Sequence, residues 1–146
     1  MNILFFLKPK SEVAHLYDTD TLRGALEKLE KHRYAAIPLI GKKDGRYIGT
    51  VTEGDLLWFI KEKENLSLKE AEKYQITEVR RHRDNEPVEV DVDMEHLIST
   101  AMNQNFVPVI DDDKRFIGII TRKDIIDYLS KKLVKLQLEA GGMQLG

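Results

Sequence analysis

Apolar and polar residues along this chain follow two rhythms, and the same order of rhythms occurs twice. Leu22, Ala25, Leu26 and Leu29 fall at i, i+3, i+4 and i+7, which predicts a helix with one apolar face over residues 21–33. Asp20 or Thr21 is available as its cap. A short apolar run at 36–40 reads as a strand, Lys42-Lys-Asp-Gly45 supplies turn chemistry, and 47–51 reads as a second strand. Residues 56–64 begin wholly apolar and predict the next helix. Further along, the pattern predicts a helix at 94–103, a strand at 106–110, a turn at 111–114, a strand at 116–120 and a helix from Asp124 onward. A short strand leads into each set, near 13–16 and 88–92. Ser67-Leu-Lys-Glu70 has the form of a capping box and predicts a linking helix through Tyr74.

The recurrence extends to individual residues. Gly49, Thr52 and Asp55 return as Gly118, Thr121 and Asp124, each 69 positions later. Upstream, Ala36-Ile-Pro38 returns as Phe106-Val-Pro108. Two blocks in one order in both halves identify an internal duplication. A half of about 60–70 residues buries only a modest core alone. The expectation is therefore an α+β (mixed α/β) fold of two helix–strand–strand–helix repeats, related by a pseudo-two-fold axis and sharing a core. Its parts are repeat 1 at 8–66, a linker helix at 67–78, repeat 2 at 79–133, and a helical extension with a frayed tail at 134–146.

Composition narrows the function classes. The formal net charge is −2, so no whole-protein field draws in DNA or an acidic membrane. There is no cysteine, which excludes disulfides and cysteine-ligated zinc. The apolar start, residues 1–7, is too short to span a bilayer and lacks the flanks of a signal peptide, so a cytoplasmic location is expected. His15, His32, His82 and His96 have no metal-ligand spacing. Asp111-Asp-Asp113 reads as a charged hairpin turn, and Arg80-Arg-His-Arg83 as a solvated linker between acidic residues. No phosphate-binding glycine loop and no nucleophile–base order is present, so the chain is expected not to be an enzyme.

With both blocks in view, the chain resembles a tandem pair of CBS domains, the family named after cystathionine β-synthase. The residues that carry the resemblance are Gly49-x-x-Thr52-x-x-Asp55 and Gly118-x-x-Thr121-x-x-Asp124, with Ile37-Pro38 and Val107-Pro108 upstream. It spans roughly residues 8–132. It implies a regulatory module that binds an adenosine-containing ligand: AMP, ADP, ATP, S-adenosylmethionine or cyclic di-AMP. It also implies two-fold dimers, commonly a flat disc of four repeats, and a separate regulated protein. Ser11-Glu-Val-Ala-His15, Tyr34-Ala-Ala-Ile-Pro38 and Thr121-Arg-Lys123 are similar to small CBS proteins of Gram-positive bacteria that bind cyclic di-AMP.

The Thr-x-x-Asp spacing suits such a ligand. A carboxylate three residues after a helix-capping threonine can accept from both ribose hydroxyls, while the threonine and the free N–H groups of the helix start hold phosphate. The same residues are also ordinary capping boxes. The copies differ between the threonine and the aspartate: Glu53-Gly54 in the first would repel phosphate, whereas Arg122-Lys123 in the second would pair with it. In the family, a cleft combines one repeat's Thr-x-x-Asp with the other's lead-in strand and proline block. The resemblance thus implies one dominant site made of Val13, Ala14, Tyr34, Ala35, Ile37, Pro38, Thr121, Arg122, Lys123 and Asp124. In it, the backbones of Ala14 and Ala35 would read the adenine edge, and Tyr34 either stacks on the base or covers the core edge. A second, weaker or empty site would use Thr52, Asp55, Asn105, Phe106 and Val107. No metal or required cofactor is implied. The alternatives are a constitutive dimeric scaffold with vestigial clefts and a DNA-binding regulator acting through residues 80–83, which lacks a helix-turn-helix. The last helix carries Leu129, Leu133, Leu136 and Leu138 beyond what the repeat needs, as if to meet a second subunit.

Overall fold

Two antiparallel strand pairs organise the molecule, one in each half. The computed structural model describes residues 2–145, with side-chain placement through residue 141. In the first half, β3 (Ala36–Ile40) pairs antiparallel with β4 (Tyr47–Thr52), and β2 (Leu16–Tyr17) runs parallel to β3. In the second half, β6 (Phe106–Ile110) pairs with β7 (Phe116–Thr121), and β5 (Val88–Glu89) runs parallel to β6. Helices α1 (Leu22–His32) and α2 (Glu53–Glu62) flank the first pair; α4 (Met94–Ala101) and α5 (Arg122–Leu145) flank the second. The short α3 (Leu68–Ala71) lies between the halves in sequence.

The helix starts follow their caps. Thr21 Oγ1 accepts the Gly24 N–H at 3.1 Å, Thr52 Oγ1 accepts the Asp55 N–H, and Ser67 Oγ accepts the Glu70 N–H. A helix begins directly after its cap, so α2 starts at Glu53 and not at the first apolar residue, Leu56. The linking helix is one turn long, and a 3-10 turn at Ile76–Glu78 follows it. The lead-in strands contain only two residues each. The tail expected to fray is instead the end of α5, which continues to Leu145; Gly146 lies outside the described residues.

The pseudo-two-fold axis passes through one backbone bridge. Arg46 and Arg115, 69 positions apart, face each other in an antiparallel bridge. Around it the bonds are reciprocal: the Phe116 N–H donates to the Gly45 carbonyl at 2.8 Å and the Tyr47 N–H to the Lys114 carbonyl at 3.4 Å. Gly45 and Lys114 are equivalent positions, and both have positive φ, 74° and 66°. Tyr47 and Phe116 stack across the junction with centroids 6.4 Å apart.

The core is divided where the length suggested a shared one. Leu16, Leu22, Leu29, Ile37, Leu39, Val51, Leu56 and Phe59 form one cluster with Ile76 and Val79. Leu97, Val107, Val109, Ile120 and Ile125 form another. Ile3 and Phe6 belong to the second cluster, and β1 (Lys8–Pro9) pairs with β7, Lys8 opposite Ile119 and Pro9 opposite Gly118. The N-terminal segment therefore completes the second half, and the repeats are interlocked where the sequence reading drew a boundary at residue 8. The physical reason is that β7 has a free edge beside β6, which a partner strand must cover.

Candidate functional site

The two-residue lead-in strands leave part of each central strand without a neighbour. β2 reaches only Leu39 and Ile40, so one edge of β3 is open at Pro38 and Ala36. A proline is tolerated there because it has no N–H to satisfy. A cavity of about 300 Å³ opens at this point. It is lined by Val13, Ala14, Tyr34, Ala35, Ala36 and Pro38 from the first half, and by Asn105, Phe106, Ile119 and Thr121 from the second, with Lys8 and Glu12. Its size is at the low end for ligand pockets.

The structure brings together most of the residues that the sequence singles out. Val13, Ala14, Tyr34, Ala35, Pro38 and Thr121 line this one cavity. Asn105 and Phe106, expected in the other cleft, line it too, because Phe106 is opposite Thr121 in the β6–β7 register and the Asn105 carbonyl accepts the Arg122 N–H at 3.0 Å. Ile37 and Val107 do not line it: strand alternation turns both inward, and both are fully buried in the two cores. Ala36 and Ile119 line it as well, because the same alternation puts them on the face of Pro38 and Thr121. Arg122 and Lys123 are exposed at the start of α5, and Asp124 is half-exposed beside Lys8, with Nζ–Oδ2 at 3.6 Å. Tyr34 is exposed and stacked on His32, centroids 5.3 Å apart. The Ala35 carbonyl already accepts the Glu53 N–H at 2.9 Å, whereas the Ala14 backbone has no hydrogen-bond partner among the described residues.

The pseudo-equivalent aspartate has a different fate. The Asp55 side chain is 1% exposed and fully engaged. Oδ2 accepts the Thr52 N–H at 3.0 Å; Oδ1 accepts the His82 N–H at 3.1 Å and meets His82 Nδ1 at 2.7 Å. The linker continues over the strand: Asp84 Oδ1 accepts the Thr50 N–H at 2.9 Å and pairs with Arg81, and the Asn85 N–H donates to Thr50 Oγ1. The Tyr47 hydroxyl donates to the Asn85 carbonyl at 2.7 Å, and burial pushes that phenol well above its ordinary pKa. Residues 81–85 are thus docked on β4, contrary to the solvated linker expected from their charge. Their partners on β4 and α2 lie 27–38 residues away, beyond any local sequence pattern. Asp124 has no such clasp: its N–H donates to Thr121 Oγ1 at 3.2 Å, while Lys8 is the only ion-pair partner of its carboxylate among the described residues.

His15, next to Ala14, is half-buried, and that burial lowers its imidazole pKa from the ordinary 6.5. The folded state therefore prefers the neutral ring, and stability falls as the pH drops below about 6.5 toward the folded value. A His15→Gln variant is expected to lose less stability than the parent between pH 7 and pH 5, measured by thermal denaturation across that range.

The CBS domain family matches the chain twice, over residues 7–62 and 76–131. The uncharacterized protein MJ1225 of Methanocaldococcus jannaschii is 24% identical over 137 residues, covering 84% of this chain and 47% of that protein. The chain therefore spans about half the length of the curated relative it matches. Among solved structures, the fold is similar to CbpB in complex with c-di-AMP, with a TM-score of 0.83 and 26% identity over 95% of this chain and 91% of that one. CbpB from Streptococcus agalactiae gives 0.78 and 26% over 94% and 85%. A hypothetical conserved protein from Geobacillus kaustophilus gives 0.79 and 28% over 90% and 98%. No helix among the described residues is long and apolar enough to cross a membrane.

Proposed function

Because the chain belongs to the CBS domain family, we propose that it is a regulatory module that binds an adenosine-containing ligand in the cleft beside Pro38 and Thr121 and acts, as a homodimer, on a separate protein. Cyclic di-AMP is the ligand we favour, since a structurally similar CbpB is in complex with it. The observation that carries the reading is the inequality of the two aspartates. Asp124 is outside the cavity lining but three residues from Thr121, which lines it, and its half-exposed carboxylate meets only Lys8, itself a lining residue, among the described residues; Asp55 is consumed by the protein's own linker.

The chemistry follows from the positions. The open backbone of Ala14 offers a donor and an acceptor for the adenine edge. The Asp124 carboxylate accepts from ribose hydroxyls. The N-terminus of α5, with Arg122 and Lys123 exposed on its first turn, faces phosphate with both dipole and charge. The cavity is sized for one adenosine moiety, with the phosphates at its rim. On this reading each chain takes one ligand, because the Asp55 cleft has no free carboxylate to give.

Titration calorimetry with cyclic di-AMP should give one site per chain, and Arg122→Glu should weaken binding at least tenfold. Thermal shift tests the ligand class: a ligand at about 100 times its dissociation constant adds roughly 2.7 kcal/mol. No shift with cyclic di-AMP, AMP, ADP, ATP or S-adenosylmethionine at millimolar concentration would refute nucleotide binding and leave the constitutive scaffold.

A further inference from the structure

The ligand cavity carries a cation of its own. Among the described residues that line it, Lys8 is the one base and Glu12 the one acid. The backbone of Lys8 is held in place by strand pairing, opposite Ile119, which lines the cavity with it. Its side chain is half-exposed, and the ammonium rests 3.6 Å from Asp124 Oδ2. Lys8 also lines a neighbouring shallow depression, and that depression contains Asp124, Asp127 and Lys131. Lys131 is committed to Asp127 there, with Nζ–Oδ2 at 3.0 Å. Lys8 is the residue common to both hollows, so its side chain stands between the cavity and the Asp124 carboxylate.

We propose that Lys8 determines the specificity of the cleft: it screens Asp124 from the cavity until a phosphate draws the ammonium away, so the site favours a phosphorylated nucleoside over the bare nucleoside. The proposal rests on the binding of an adenosine-containing ligand in this cleft, and it assigns a residue that chooses among such ligands. A ribose in the cavity reaches Asp124 only when Lys8 gives way. A nucleoside must break the ion pair and offers the ammonium nothing in return. A nucleotide exchanges one anion for another, because its phosphate lies at the start of α5, on the same helical turn as Asp124. The pair that is lost is exposed and therefore weak, whereas an ammonium–phosphate contact is charge-assisted. Glu12 adds to the need for the cation, since its negative charge opposes an incoming phosphate unless Lys8 offsets it.

Titration calorimetry on the full chain with adenosine, AMP and cyclic di-AMP tests this. The parent should bind the better of the two phosphorylated ligands more tightly than adenosine. Lys8→Met keeps the apolar stem and the backbone pairing of β1 but removes the charge. It should tighten adenosine binding about two- to fivefold, because no ion pair remains to be broken. It should weaken the phosphorylated ligand by about tenfold. Lys8→Arg keeps the charge and should keep the parent's order of ligands. Lys8→Gln repeats the measurement should methionine loosen β1. If removal of the charge shifts all three ligands by the same factor, or if Lys8→Arg behaves as Lys8→Met does, Lys8 does not choose the ligand and the proposal fails while adenosine-ligand binding stands. A parent that binds none of the three overturns that binding and this proposal with it.

Discussion

Replacing Gly118 with alanine is expected to lower the melting temperature by roughly 10–20 °C. Gly118 has φ of 156°, a region that L side chains rarely adopt, and strain there costs about 1–3 kcal/mol. An added Cβ would also collide with the Lys8 carbonyl, and would sit 3.0 Å from Pro9 Cα and 2.9 Å from Leu7 Cδ1. The first two are backbone atoms of the crossing strand β1, so relief requires β1 to move. Moving it loosens Ile3 and Phe6 in the second core. The combined cost is about 3–5 kcal/mol, and each kcal/mol is worth roughly 3–4 °C in a domain of this size. Gly141→Ala is the matched control. Nothing lies within 4 Å of the new Cβ there, and the position is helical, so that variant should gain about 0.5–1 kcal/mol. Differential scanning calorimetry on the pair measures both, and equal melting temperatures would refute the assignment of β1.

The two signature aspartates should separate stability from binding. Asp55→Ala removes the acceptor for the Thr52 and His82 N–H groups at a buried site. Loss of half a capping box costs about 1 kcal/mol, and stranded buried donors about 1–3 more. Denaturant unfolding should register a loss of about 3 kcal/mol, with one ligand still binding per chain. Asp124→Ala breaks only an exposed pair with Lys8 and should cost less than about 1 kcal/mol. The same variant should weaken adenosine-ligand binding by tenfold or more, because its carboxylate is the one left open. If Asp124→Ala binds as the parent does, the ligand lies elsewhere. If Asp55→Ala is as stable as the parent, the linker clasp contributes nothing.

What the sequence made legible was the local grammar. Each hairpin, its flanking helices and the caps at Thr21, Thr52 and Ser67 follow from periodicity and from side chains three residues apart, with helix ends displaced by a few residues. Strand alternation carries more information than the motif positions do. It separates Pro38 and Ala36, which face the cavity, from Ile37, which faces the core. Long-range choices were not legible. Ile3-Leu-Phe-Phe6 announces burial, but nothing local says that it is buried in the half farther along the chain. Arg80-Arg-His-Arg83 has the composition of a solvated stretch, and only the folded positions of Asp55 and Thr50 show that His82 within it and Asp84 beside it have partners waiting. The division into two cores is illegible for a related reason. Length sets how much surface can be buried, but not whether the buried side chains join into one cluster.

The position of β1 has a consequence for how the chain is made. Lys8 finds its partner at Ile119, 111 residues away, so β1 is synthesised long before it can be seated. At about 5–20 residues per second, a ribosome holds the N-terminal segment unpartnered for roughly 5–20 s while everything between is translated. During that interval the first half can fold around its own core, yet Ile3 and Phe6 remain in water as an exposed apolar lead. In nascent chains the segment at residues 3–9 should therefore be vulnerable to proteases and holding chaperones, and the vulnerability should end only when β7 has left the exit tunnel.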